Sequence, residues 1–312
     1  MKTDILGLHH ITAISNSAQK NHDFYTNVLG LRLVKKTVNF DDPGTYHFYF
    51  GDEQGTPGTI ITFFPWEGIG KGVNGAGMAT HTAYSVPEGS FDFWKKRLES
   101  YGIESEESVI FNERVLSFND PDGMQLQLVV AEKSDNREPR TTEEIGKEVA
   151  IRGFHTVTLT LRSVGATAKV LTDVLGYSQV KHEGNRYRFA VDTVDTANFI
   201  DIIEDPAAPN GRGAAGTNHH IAFRVKDDNI LMEVRKKVTA AGLQITPKID
   251  RDYFFSLYFR EPGGVLFELA TDNPGFTVDE SLEAFGSSLR LPGKYESMRQ
   301  KIESVLPELK YD

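Results

Sequence analysis

Alternating apolar and polar positions predict strands along most of this chain, and one of them organises the rest. Side chains on a strand alternate between faces. Over residues 217–225, TNHHIAFRV, His219, Ile221, Phe223 and Val225 therefore share one face, and His220, Ala222 and Arg224 the other. The first set is apolar and should pack beneath a helix, leaving His220 on the concave side beside a small neighbour. In a later run Val265, Phe267 and Leu269 form the helix-facing side, and Glu268 points the other way with Leu266 and Ala270. A carboxylate in a strand otherwise fit for a core is costly to bury unpaired, and a divalent cation would remove that cost. Near the start of the chain the same count groups His10 with Thr12 and Ile14, opposite His9, Ile11 and Ala13.

The pattern repeats. Thr26-Asn27-Val28-Leu29-Gly30-Leu31 matches Thr172-Asp173-Val174-Leu175-Gly176-Tyr177, each ending a helical stretch at a glycine suited to a left-handed cap. Asn119-Asp120-Pro121-Asp122-Gly123 parallels Arg260-Glu261-Pro262-Gly263-Gly264, each a turn feeding a final apolar strand. Strand, helix and several further strands thus recur four times, over about 5–65, 78–131, 150–204 and 217–272, and one half of the chain repeats the other. This predicts an α+β protein of four β-α-β-β-β modules. The first two fill an N-terminal domain (1–131) and the last two a C-terminal domain (150–272), joined by a charged linker (132–149). A tail (273–312) with helical spacing would pack on a module or a second subunit. The glycine-rich stretches before modules two and four lack the Gly-Lys-Ser/Thr and the following helix of a phosphate loop, and read as connectors.

Composition narrows the function. The net charge of −10 comes without a basic stripe, which argues against nucleic-acid binding. No apolar run approaches the roughly 20 residues of a membrane span. The absence of cysteine excludes disulfides, thiolate metal sites and thiol nucleophiles; it fits a reducing compartment, and a cytoplasmic location is the expectation.

The repeat also serves as an internal control. Equivalent positions carry His10, His81, His155 and His220, but the module-two counterpart of Glu268 is Gln127, a neutral and poorer ligand, and module one offers Thr62 or Phe63. Module four supplies both a histidine and a carboxylate, so a metal site must include His220 and Glu268. If modules one and four share a barrel, His10 completes it and His81, His155 and Gln127 form a dead counterpart; if neighbouring modules pair, His155 replaces His10. Spacing leaves both arrangements open.

The four-module plan with its His…His…Glu set resembles the vicinal oxygen chelate superfamily of glyoxalases, fosfomycin-resistance proteins and extradiol dioxygenases, which implies two barrels. Leu8-His9-His10-Ile11-Thr12, Tyr46-His47-Phe48-Tyr49-Phe50, Gly55-Thr56-Pro57-Gly58-Thr59, Arg152-Gly153-Phe154-His155 and Pro262-Gly263-Gly264-Val265-Leu266-Phe267-Glu268 together look like the ring-cleaving hydroquinone dioxygenases. That resemblance implies His10, His220 and Glu268 as iron ligands, and substrate-contacting or supporting roles for Thr12, His219, Arg251 and Tyr258. The expected cofactor is Fe(II), with Mn(II) or another divalent cation as the alternative, and the expected partners are a small aromatic diol and O2; a homo-oligomer stays open. Two histidines and one carboxylate leave coordination positions free, as in non-haem iron oxygenases. The competing readings are a catechol dioxygenase, a glyoxalase-type lyase or isomerase that needs a second carboxylate as base, and a protein that sequesters aromatic compounds.

Overall fold

A computed structural model describes residues 3–311. Module one runs through β1 (Leu8–Ser15), α1 (Ala18–Asp23), β2 (Arg32–Val38), β3 (Tyr46–Gly51) and β4 (Ile60–Pro65). Module two has β5 (Met78–Ser85), α2 (Phe91–Ser100), β6 (Ser105–Ile110), β7 (Glu113–Asn119) and β8 (Gln125–Val130). Module three has β9 (Gly153–Leu161), α3 (Gly165–Lys169), β10 (Ser178–Glu183), β11 (Arg186–Ala190) and β12 (Phe199–Glu204). Module four has β13 (Thr217–Val225), α4 (Asp228–Ala240), β14 (Ile249–Asp250), β15 (Phe254–Arg260) and β16 (Leu266–Pro274).

Each helix covers the apolar face of its module. In α4, Leu231, Val234 and Val238 are buried at helical spacing, and the Asp227 carboxylate caps the first turn by accepting from the amides of Asn229 and Ile230. Both α1 and α3 widen into a π-turn, over Phe24–Val28 and Val170–Val174. The chain then reverses at Gly30 and Gly176, whose φ angles of 71° and 73° suit glycine alone at low cost.

Modules one and four form one curled eight-stranded sheet, ordered β14-β15-β16-β13-β1-β4-β3-β2; modules three and two form the other, ordered β10-β11-β12-β9-β5-β8-β7-β6. At the centre of each sheet two opening strands run antiparallel, β1 with β13 and β5 with β9. Each opening strand is also parallel to the last strand of its own module. The halves 1–131 and 150–272 therefore each give one module to each sheet.

The segments around the modules are tightly packed. The glycine-rich connectors pair with one another through bridges between Lys71 and Ala215, Val73 and Arg212, and Ala76 and Asn210. Residues 132–149 contain no helix or strand, but Ile145 and Val149 are buried. Arg137 donates to the carbonyls of Gly58 and Phe154, holding the segment across both halves. The tail departs from the helical expectation: it has 3-10 turns at Phe276–Val278, Leu282–Ala284 and Gly293–Met298 and one short helix, α5 (Arg299–Glu303). Gly275, Gly286, Pro292 and Gly293 interrupt any longer helix. The tail covers the free edge at β2, where Lys36 bridges Leu289. Lys35, fully buried, pairs there with Glu280 and with Asp279 at 2.6 Å.

Gly216 opens β13 with φ of 80°, and a Cβ there would lie 2.2 Å from the carbonyl oxygen of Asp122. Gly216→Ala is expected to lower unfolding free energy by roughly 2 kcal/mol or more, read from the urea midpoint; an unchanged midpoint would show that this close approach is dispensable.

Candidate metal centre

The three central strands of the first sheet bring His10, His220 and Glu268 together. β13 pairs with β16 so that Ala222 faces Glu268, and with β1 so that Thr12 faces His220 and His10 faces Ala222. One ligand atom from each of the three residues lies within 4.8 Å of the others, and among the described residues no other three His, Asp or Glu groups converge in this way. All three are buried, Glu268 completely. Its Oε2 stands 2.8 Å from Nε2 of His220 and 3.2 Å from Nε2 of His10, yet has no aligned hydrogen bond. Its Oε1 accepts from the hydroxyl of Ser256.

The tautomers follow from the partners. His9 Nε2 lies 3.1 Å from the carbonyl oxygen of Thr271, which can only accept, so that nitrogen carries the proton. His9 Nδ1 then accepts from Nδ1 of His10, 2.9 Å away, and His10 turns a bare Nε2 lone pair towards Glu268. His219 and His220 repeat the contact at 2.7 Å between their Nδ1 atoms. Burial lowers the pKa of His220, which favours the neutral ring, with His10 and Arg251 adding to the effect and Glu268 opposing it. Burial likewise pushes His9 well below its usual value and His219 down to about 4. Burial alone would raise the Glu268 carboxyl; positive charge on the two facing rings would hold it well below the carboxylate range, and with both rings neutral that charge has to come from a cation. Bare nitrogen lone pairs facing an orphaned, ionised oxygen repel one another unless a cation lies between them. The donor set, two imidazoles and one carboxylate, fits a divalent transition metal.

The triad opens into a cavity of about 320 Å³ walled by Phe40, Tyr49, Phe64, Trp66 and Phe254. Thr12, His219, Arg251 and Tyr258, the four residues to which the resemblance assigns roles, all line it. The Arg251 guanidinium sits 5.4 Å over the Tyr258 ring. A larger and more open cleft, about 640 Å³, shares His219, His220 and Leu266 with this cavity but not His10.

Two positions correct the strand count. His219 does not lie on the apolar face: β1 and β13 slip by one residue where Ala13 faces Asn218 and Thr12 faces His220, so His219 is the extra residue of a bulge and lines the cavity. His9 is the matching extra residue on β1, between the Leu8–Phe223 and His10–Ala222 pairs. Strict alternation hid the supporting role of both; the doubled His-His at 9–10 and 219–220 was the available signal.

The second sheet keeps His81 and Gln127 at the positions of His220 and Glu268, but not His155 at that of His10. There β5 and β9 bulge at Thr80 and at His155, so His155 matches His9, and Thr156 stands in the ligand position. The Glu268 counterparts, read from the parallel pairs, are Gln127, Thr62 and Asp201. Arg188 neutralises Asp201, donating to both of its oxygens at 2.8 and 2.9 Å and pairing with Glu113, whose other oxygen lies 3.1 Å from His155. A guanidinium thus already supplies the positive charge that the Asp201 carboxylate requires.

The chain belongs to the glyoxalase/bleomycin resistance protein/dioxygenase superfamily, whose model matches residues 7–128 and 153–269. Its relatives point to one branch. It is 46% identical to the "putative ring-cleaving dioxygenase MhqO" of Bacillus subtilis, over 98% of this chain and 97% of that one. It is 35% identical to the chlorohydroquinone/hydroquinone 1,2-dioxygenase of Sphingobium indicum, over 95% and 94%. A Bacillus subtilis crystal structure, described as a dioxygenase with the same qualifier, superposes with a TM-score of 0.95 at 45% identity, covering 99% of both chains. Glyoxalase I of Zea mays shares the fold, with a TM-score of 0.65 at 14% identity over 90% and 97% of the chains.

In the second sheet burial alone would raise the Glu113 carboxyl, but His155 and Arg188 bring it down from 4.5 to about 2. A carboxyl with a lowered folded pKa contributes stability above its unfolded value and loses it as pH falls. Glu113→Gln should therefore cost about 3 kcal/mol at pH 7. Chemical denaturation should show the gap to wild type closing as pH drops from about 4.5 towards about 2. A pH-independent gap would contradict this.

Proposed function

We propose that the protein is an Fe(II)-dependent dioxygenase that opens hydroquinone-type aromatic rings. The observation that carries this reading is the buried His10–His220–Glu268 set, with its orphaned carboxylate oxygen, opening into an aromatic-walled cavity. His10, His220 and Glu268 would hold the metal, which when bound supplies a Lewis-acidic, redox-active centre with open positions for a phenolate and O2. Phe40, Phe64, Trp66 and Phe254 exclude water and fix the plane of the ring.

The hydroxyl groups of a para-diol point in opposite directions, so one must be held away from the metal. Arg251 and Tyr258 at one wall, and the exposed edge of His219, supply donors and an acceptor for it. His219 is neutral near pH 7 and, with its Nδ1 lone pair taken by His220, turns Nε2–H outward as a donor that can hold the distal oxygen. Cleavage of the ring bond beside a hydroxyl-bearing carbon takes up both atoms of O2, so diol and O2 sum to the ring-opened product without an external reductant. A glyoxalase-type isomerisation would need a second carboxylate opposite Glu268, and Thr62 stands there.

The test is oxygen uptake by anaerobically Fe(II)-loaded protein offered 2-methylhydroquinone, catechol or the methylglyoxal–glutathione adduct. One O2 per ring with the hydroquinone is expected. Glu268→Gln and His10→Ala should lose both iron and uptake, whereas His155→Ala should keep its iron by metal analysis. Adduct turnover with Ni(II) or Zn(II), without oxygen uptake, would overturn the proposal.

A further inference from the structure

One line of buried polar groups enters the cavity from the side opposite Glu268. The Tyr49 hydroxyl is 3.0 Å from Nδ1 of His47, Nε2 of His47 is 2.9 Å from the Thr62 hydroxyl, and that hydroxyl is 2.9 Å from the hydroxyl of Thr12. Tyr49, Thr62 and Thr12 are almost completely buried. The groups lie on three adjacent strands, β3, β4 and β1, and Thr62 occupies the module-one counterpart of Glu268.

The direction of the chain can be worked out from donors and acceptors. A neutral imidazole has one donor and one acceptor nitrogen. A phenol is a stronger donor and a weaker acceptor than an aliphatic alcohol, so the best match puts the Tyr49 proton on the Nδ1 lone pair. Burial supports both states: it raises the Tyr49 pKa well above its usual value and lowers that of His47 well below its own. Nε2 of His47 then donates to Thr62. If Thr12 also donated to Thr62, the Thr62 proton would be left without an acceptor in a fully buried site, at a cost of about 1–3 kcal/mol. Thr62 must therefore donate to Thr12, and the Thr12 proton is the free end of the chain, beside His10 in the cavity.

We propose that Tyr49, His47 and Thr62 form a one-way hydrogen-bond chain that makes Thr12 an obligate donor to an oxygen of the bound ring. The site is thereby set to accept that oxygen as a phenolate. Tyr49, His47 and Thr62 are positioning residues in this account. The chain ends in a phenol that holds its proton, so it orients the Thr12 hydroxyl without delivering a proton to it. The inference rests on the dioxygenase reading for the identity of the ligand.

The experiment uses 4-nitrophenol, whose absorbance reports ionisation, bound anaerobically to the Fe(II)-loaded protein. The variants are Tyr49→Phe and Thr62→Val, both close in shape to the native side chains. Each should retain wild-type iron content. Binding should weaken about five- to tenfold, and the pH at which the bound phenol ionises should rise by more than half a unit. His47→Gln, which can accept and donate as the imidazole does, should restore part of the loss seen on replacing His47 with Ala. Iron-loaded Tyr49→Phe and Thr62→Val with unchanged affinity and unchanged ionisation would overturn the chain while leaving the dioxygenase reading intact. Failure of the wild type to bind 4-nitrophenol while it still takes up oxygen with 2-methylhydroquinone would likewise overturn the chain alone; failure of both would overturn the dioxygenase reading as well.

Discussion

The structure depends on how a fully buried carboxylate is satisfied at the centre of a sheet. Glu268 lies on β16 beside β13, with no water-exposed surface and one oxygen lacking a hydrogen bond. An ionised group in such a place is tolerated only with a compensating charge. His10 and His220 do not provide that charge, because their protons are drawn away to His9 and His219 and their remaining lone pairs face the carboxylate. This stored incompatibility distinguishes a metal centre from an ordinary buried ion pair.

The second sheet shows the same frame solving the same problem differently. Asp201 stands in the position matching Glu268, and a carboxylate there would raise the same difficulty. Arg188 answers it with a fixed positive charge in two-point contact, and Glu113 and His155 complete the network. A guanidinium stays charged and cannot be exchanged, so the second carboxylate has no need of a metal. One duplicated architecture thus offers ligands for a replaceable cation on one side and builds in a permanent one on the other.

Much of this was legible in the chain. Glu268 stood out because a carboxylate interrupts an apolar alternation, and the repeated Val-Leu-Gly and Pro-Gly turns marked the four modules. Three kinds of information were not legible. A bulge adds one residue and reverses the faces, so His219 was placed on the wrong side, His9 was overlooked, and His155 was matched to His10 instead of His9. Module pairing is a long-range choice that spacing does not encode, although the strand order states it directly. The tail carries helical spacing, but its glycines and prolines limit it to short turns, and its anchor is a buried lysine on β2.

The interleaving of modules has a consequence for the order in which the protein is made. β1 leaves the ribosome with one edge bare, because its partner β13 lies some two hundred residues downstream. At roughly 5–20 residues per second, that strand waits about 10 to 40 s for its neighbour. The sheet of modules two and three has no such gap, since the two modules are consecutive along the chain and all its strands have been synthesised by Glu204. The salt-bridged sheet can therefore close while the first module is still unpartnered, and the sheet that carries His10, His220 and Glu268 is assembled onto one that already exists.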